Sequence, residues 1–224
     1  MIYYTAYTLH PILRSHSVKV PEGIMLHSTG ADNPNLKRYV NNPVRYGENR
    51  YNNHFDHPDA TQTPHAFIGL DRKGKIETAQ VLPWEWACWG CGTGKKGSYN
   101  YKPMYIQIEM CEDQSAGKEY LDKCLDEAVS TMATLCDWYN LTANQICSHK
   151  EAAVKGYASN HGDPEHWLEK YGVTMDDIRE RVRERLSSLY YVQVGAFKSR
   201  KNAEAYAKDV AGAGFHAIIK KGSD

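Results

Sequence analysis

The segment MYIQIEMC, residues 104–111, constrains this chain more than any other. Its apolar density and its isoleucine and tyrosine content read as a strand, and so little polarity suits a central place in a sheet. Further on, Leu121, Cys124, Leu125, Ala128, Met132, Leu135, Cys136 and Tyr139 recur at helical spacing, an apolar stripe that needs a surface to cover. A buried strand followed by a long amphipathic helix predicts a layered α/β (α+β) domain. IMLHST (24–29) reads as a second short buried strand. HAFIGLD (65–71) and IETAQVL (76–82) flank RKGK and read as a hairpin bending at Gly74.

The connecting segments are less regular. Residues 32–38 read as a loop entering a helix. Residues 41–63, rich in Asn, Pro, Asp and Tyr, read as a long loop of the kind that often carries function. WACWGCGTGKKGSYN is Gly-rich. Thr142-x-x-Gln145 has capping-box form. Asp163-Pro164 reads as the cap and first position of a short helix. Thr174 predicts the cap of the next, which carries the stripe Ile178, Val182 and Leu186. The pattern restarts after residue 187: YYVQVGAF alternates as a strand, Ser199 heads a helix, and FHAIIKK is strand again. The chain therefore divides into a domain over 1–187 and a βαβ unit over 188–224. The unit is too small to bury a core alone. It needs a missing half, a second copy in a dimer, or the main domain.

Charge and hydropathy exclude several classes. With 27 basic and 27 acidic residues the chain lacks the basic field of a general nucleic-acid binder. No run of eighteen apolar residues exists to span a membrane. The first twenty residues show neither a basic n-region nor an apolar h-region, so no signal peptide is read and synthesis in the cytoplasm is expected. In a reducing compartment the six cysteines are expected as buried free thiols. Cys88 and Cys91 form a CxxC with no second CxxC to complete a zinc knuckle, which leaves a redox pair as an alternative.

Three polar residues stand out by position. His27 ends an apolar strand, His149 ends the segment ICSH, and Asp163 heads a helix. Strand ends and helix heads can converge on one cleft. Two imidazoles and a carboxylate with an open fourth position is one way a catalytic zinc is held. There is no HExxH, and each histidine also reads as an ordinary surface or core residue. Glu109, inside YIQIEM, reads either as a general base or as a strand-end carboxylate reaching solvent or a Lys.

Taken in order, LHST, IQIEMC, SHKE and SNHGDPEHW resemble the zinc-dependent N-acetylmuramoyl-L-alanine amidases related to peptidoglycan recognition proteins, a type often found as phage endolysins. The resemblance spans roughly residues 20–170. It implies a mixed β-sheet flanked by helices, with Zn2+ in a groove on one face. His27, His149 and Asp163 fall on the ligands, so Asp163 is a ligand first and a cap second. Glu109 falls on the glutamate used for acid–base work or water positioning. His161 falls where relatives commonly have a Lys; it is read as an oxyanion donor or as a loop residue supporting the site. His65 falls where relatives have a Tyr or His and is a second oxyanion candidate. Many relatives carry Trp-His-x-Gly in the Gly-rich loop, where CWGCG here puts Gly90 near the His position. Trp86, Trp89 and Tyr99 either line the groove or cover the sheet.

The tail resembles the first half of a SPOR domain, a family that binds cell-wall glycan strands. Gln193 and Phe197 of VQVGAF are the expected wall contacts. These resemblances imply a peptidoglycan hydrolase cleaving the amide between N-acetylmuramic acid and L-alanine. It would be an endolysin or autolysin acting on the wall after release. The alternative is a non-catalytic peptidoglycan-binding protein of the same fold.

Overall fold

The computed structural model describes residues 2–4, 18–57, 59, 61–188, 194–213, 217 and 219. The chain divides into two units, Met1–Ser187 and Ser188–Asp224. In the first, β1 (Ile2–Tyr4), β2 (Gly23–Ser28), β3 (Ala66–Leu70), β4 (Ile76–Gln80), β5 (Tyr105–Met110) and β6 (Ile146–Ser148) form one sheet. The strand order is β1-β4-β3-β5-β2-β6. Only β3 and β4 pair antiparallel; the other neighbours are parallel. The sheet is therefore mixed, and MYIQIEMC does supply an interior strand.

Alternation along the strands separates the two faces of the sheet. Ile24, Leu26, Ile106, Ile108 and Met110 point to one face. There they join Leu121, Cys124, Leu125, Ala128, Met132 and Leu135 of α2 (Gly117–Tyr139) and Ile178 and Val182 of α5 (Met175–Ser187) in one buried cluster. The helical stripe read from the sequence thus faces the sheet. The opposite face carries Met25, His27, Phe67, Gln107 and Glu109, set side by side by the registers Met25↔Gln107, His27↔Glu109 and Phe67↔Glu109.

Local chemistry sets the element ends. Asn140 adopts the left-handed conformation (φ 53°) and stops α2, its N–H closing back on Cys136 and Asp137. The Asp71 carboxylate accepts from Lys73 N (2.7 Å) and Lys75 N (2.8 Å), shaping the β3–β4 turn around Gly74 at φ 77°. Thr174 and Asp177 bond reciprocally, side chain to backbone, at the head of α5. Two readings of irregular segments need correction. Residues 36–38 form only a 3-10 turn. The stretch 41–63 is pinned rather than free: it contains the short helix α1 (Pro43–Tyr46), buries Tyr46 and Phe55, and clamps Arg45 onto Glu77 of β4 at 2.6 and 2.7 Å.

The second unit contains α6 (Arg200–Gly212), headed by Ser199. Most of YYVQVGAF and FHAIIKK lies outside the described residues, including Gln193, so the expected pairing of two copies through these strands falls there too. Phe197 is described; it is exposed and its ring lies 5.3 Å from that of Tyr206. Among the described residues no helix is long and apolar enough to cross a membrane.

Ile108 is fully buried at the centre of the helix-covered face. Ile108→Ala is expected to cost about 2–5 kcal/mol through lost burial and a residual cavity. Urea unfolding of wild type and variant reads this directly, and an unchanged midpoint contradicts the packing described.

Candidate metal centre

His27 is the penultimate residue of β2 and is 1% exposed. His149 is delivered by a capping box. Where β6 ends, Glu151 N donates to Ser148 Oγ (2.9 Å) and Ser148 N donates to Glu151 Oε2 (3.1 Å). This starts α3 (His149–Lys155) with His149 as its first residue. Arg179 of α5 holds Glu151 through two contacts of 3.0 Å and also reaches the Ile146 carbonyl. Asp163 lies on the loop before α4 (Glu165–Leu168), and its carbonyl accepts from Lys150 N at 3.3 Å. The Ser148 hydroxyl also donates to Glu165, tying the head of α3 to the start of α4. Pro164 takes the cap position of α4 with no side-chain cap bond, so Asp163 does not serve as its cap.

The Asp163 carboxylate instead meets the two imidazoles. His27 Nδ1 lies 2.9 Å from Asp163 Oδ2, His149 Nδ1 lies 3.3 Å from Asp163 Oδ1, and the two Nδ1 atoms are 3.2 Å apart. Donor atoms bound tetrahedrally to zinc at about 2.0–2.1 Å stand roughly 3.3 Å from one another. The 3.2 Å between the two Nδ1 atoms is close to that spacing, each imidazole meets a different oxygen of Asp163, and the donor set of two imidazoles and a carboxylate suits the same ion. Among the described residues no other group of three His, Cys, Asp or Glu side chains converges this way. The outer nitrogens are engaged: His27 Nε2 meets Gln107 Oε1 at 3.1 Å and His149 Nε2 meets Ser159 Oγ at 3.3 Å. Burial pushes the His27 imidazole down, against the pull of Asp163. Burial works to raise the Asp163 carboxyl, but hydrogen bonds with His149 and His27 outweigh it and hold the group well below the usual carboxylate range.

Glu109 stands beside His27 in the register of β2 on β5. Burial raises its carboxyl well above the ordinary value, and the nearby charges of Asp163 and Glu112 add to the effect. Its Oε2 is buried with no hydrogen-bond partner. A buried carboxyl so raised holds its proton more readily than an exposed one. His161 is exposed; its ring stacks on His149 (centroids 4.8 Å, planes 11° apart) and its Nδ1 lies 3.9 Å from Asp163 Oδ1. A cavity of about 380 Å³ adjoins the centre, lined by residues 28–31 with His161, Gly162, Asp163 and His166. The fully buried Glu112 accepts from Ser28 Oγ (2.7 Å) and Gly30 N (3.1 Å) and meets His166 Nε2 at 2.8 Å. Sequence reasoning passed over Glu112, His166 and Ser159. It also missed that Ser148-x-x-Glu151 is a capping box, a signal legible in SHKE.

The family model for N-acetylmuramoyl-L-alanine amidase matches residues 17–166. The chain belongs to this amidase family. A SPOR domain model matches residues 186–224. The bifunctional autolysin of Staphylococcus aureus is 25% identical over 185 residues, which is 78% of this chain but only 12% of that protein. Among solved structures, the Staphylococcus aureus hydrolase AmiA superposes with a TM-score of 0.58 at 19% identity, over 83% of this chain and 82% of that one. The catalytic domain of XlyA gives 0.57 at 20% identity, over 81% and 99%. A mutant endolysin from Bacillus subtilis gives 0.56 at 20% identity, over 81% and 98%. These structural likenesses establish the amidase fold for this chain.

Several expected site residues of the amidase domain lie elsewhere than foreseen. His65 is fully buried, and backbone occupies both of its nitrogens: Gln107 N donates to Nδ1 and Nε2 donates to the Trp86 carbonyl, each at 2.9 Å. Neither nitrogen is available to an oxyanion, so His65 is a brace between β3 and β5. Tyr99 is not a groove wall; it is buried between the rings of Tyr105 (3.9 Å) and Tyr157 (4.8 Å). Trp89 is 44% exposed and stacks on Tyr101, which keeps it available to a ligand. All six cysteines are buried and unpaired, and burial pushes the Cys88 and Cys91 thiols up, away from the reactive thiolate a redox pair needs.

Burial lowers the His65 imidazole to about 4, against about 6.5 in the unfolded chain. Between these values the unfolded chain binds the extra proton, so stability rises with pH across that window and is lost as pH falls through it. The loss at His65 amounts to about 3 kcal/mol. In His65→Gln the stability difference between pH 7 and pH 4 is expected to shrink by that order. Equal differences in the two proteins contradict the brace.

Proposed function

We propose that the amidase domain hydrolyses the amide between N-acetylmuramic acid and L-alanine in bacterial peptidoglycan, at a zinc centre held by His27, His149 and Asp163. The observation carrying this reading is the convergence of the His27 and His149 Nδ1 atoms, 3.2 Å apart, on the Asp163 carboxylate, whose two oxygens lie 2.9 and 3.3 Å from them, beside the buried carboxyl of Glu109. Zinc bound there supplies Lewis-acid chemistry, polarising an amide carbonyl and making water more acidic. Glu109 accepts a proton from the attacking water at its unpartnered Oε2 and returns it to the leaving amine of alanine. His161, exposed on the open side of His149, donates to the oxygen that gains charge as the carbonyl is attacked. Trp89 offers an aromatic face to sugar or peptide.

The C-terminal segment is proposed to hold the wall glycan, with Phe197 and Gln193 among its contacts. Synthesis in the cytoplasm and action on the wall after release, as an endolysin or autolysin, belong to the same reading. A purely wall-binding role gives no reason for a buried Glu109 with an unpartnered Oε2 beside two imidazoles and a carboxylate.

Purified wild type is expected to carry about one zinc per chain and Asp163→Ala far less. Glu109→Gln should keep the metal while slowing hydrolysis about 10²–10⁴-fold, the usual worth of a general base. Digests of purified wall, analysed by mass spectrometry for stem peptides with a free alanine amino terminus, check the bond cleaved. A fully active Glu109→Gln, or solubilised wall without such termini, refutes the proposal.

A further inference from the structure

The loop CWGCG and the strand YIQIEM meet beneath His27 in a chain of hydrogen bonds whose directions can be derived. Asn100 is fully buried. Its Oδ1 accepts from Gly90 N (2.9 Å) and Cys91 N (3.1 Å), and its Nδ2 donates to the Gly92 carbonyl (3.0 Å). A backbone N–H only donates and a carbonyl only accepts, so the Asn100 amide has a single orientation. The same Oδ1 accepts from Gln107 Nε2 at 2.9 Å. That places the nitrogen of Gln107 toward Asn100 and its oxygen toward His27 Nε2, 3.1 Å away. An amide oxygen only accepts, so His27 Nε2 carries a hydrogen, and in the neutral ring Nδ1 then keeps a lone pair on the side of Asp163 and His149.

This order works against a competitor built into the site. With Asp163 Oδ2 at 2.9 Å, a neutral His27 left to itself gains a hydrogen bond by carrying its proton on Nδ1, the form that cannot ligate a metal through Nδ1. Gly90 makes the opposing contact sterically possible. A Cβ at residue 90 would lie 2.4 Å from Gln107 Oε1 and 3.3 Å from its Cδ. The Gln107 side chain therefore occupies room that any residue but glycine would take. Its backbone is braced on both sides by His65, whose N donates to the Gln107 carbonyl and whose Nδ1 accepts from Gln107 N.

We infer that Gln107, oriented by Asn100 and given room by Gly90, is a positioning residue that fixes the Nε2–H tautomer of His27 and presents Nδ1 to the metal. The inference rests on the zinc reading above for its purpose, and on hydrogen-bond directions alone for its geometry.

Two substitutions test it on the full chain: Gly90→Ala, which removes no polar group but displaces the Gln107 oxygen, and Gln107→Met, which removes the acceptor. Zinc affinity is read by chelator competition, the His27 tautomer by nitrogen-15 NMR of the metal-free protein, and folding by thermal unfolding of the metal-free form. Gly90→Ala and Gln107→Met are expected to bind zinc about 10- to 100-fold more weakly and to move the His27 proton toward Nδ1. Folded Gly90→Ala and Gln107→Met proteins with wild-type affinity and tautomer overturn the inference. A wild type that takes up no zinc yet shows the Nε2–H tautomer refutes the metal reading while supporting the relay.

Discussion

β2 lies parallel to β5 in a register that sets Met25 beside Gln107 and His27 beside Glu109. Because side chains alternate, the same pairing buries Ile24, Leu26, Ile106 and Ile108 beneath α2. A slip of β2 by one residue would turn that strand over, placing the His27 imidazole in the hydrophobic core and Ile24 and Leu26 on the side of the site. The register that satisfies the core is therefore the one that presents the site. Hydrophobic burial, not any attraction among the site's own groups, holds His27 and Glu109 side by side.

The groups so assembled crowd several polar atoms into one largely buried space. Two imidazole nitrogens and a carboxylate point at one another within 3.3 Å, and Glu109 is buried nearby without a hydrogen-bond donor at Oε2. Such an arrangement persists only where the surroundings over-determine it. Here they do so twice. On one side the capping box of Ser148 and Glu151, clamped by Arg179 and joined to Glu165, fixes the start of α3 and the loop bearing Asp163. On the other, Asn100 and Gln107 hold His27 from below. The rigid scaffold makes the donor cluster ready for a metal before any metal arrives.

Much of this was legible in the sequence. Periodicity placed the interior strand, the hairpin at Gly74 and the α2 stripe, because burial imposes period 2 or 3.6 on contiguous residues. The donors His27, His149 and Asp163 were legible as a set through the order of their flanking motifs, whereas spacing alone left them open. The Asn100–Gln107 chain was not legible, since it depends on contacts between residues far apart in sequence, and Gln107 reads as one more strand residue. Asp163 misled as a helix cap because a cap and a ligand use the same short carboxylate. His65 and Tyr99 carry polar groups that look functional, but backbone and ring contacts absorb them. The stretch 41–63 has loop composition, and only the burial of Tyr46 and Phe55 reveals that it is packed.

The central claim is that two imidazoles and a carboxylate, and no thiolate, hold the metal. Zinc K-edge X-ray absorption of the loaded protein tests it most directly. The account predicts a shell of nitrogen and oxygen neighbours at about 2.0–2.1 Å, imidazole scattering from two histidines, and no sulfur. A sulfur shell at about 2.3 Å would place the metal on cysteines and contradict the site described.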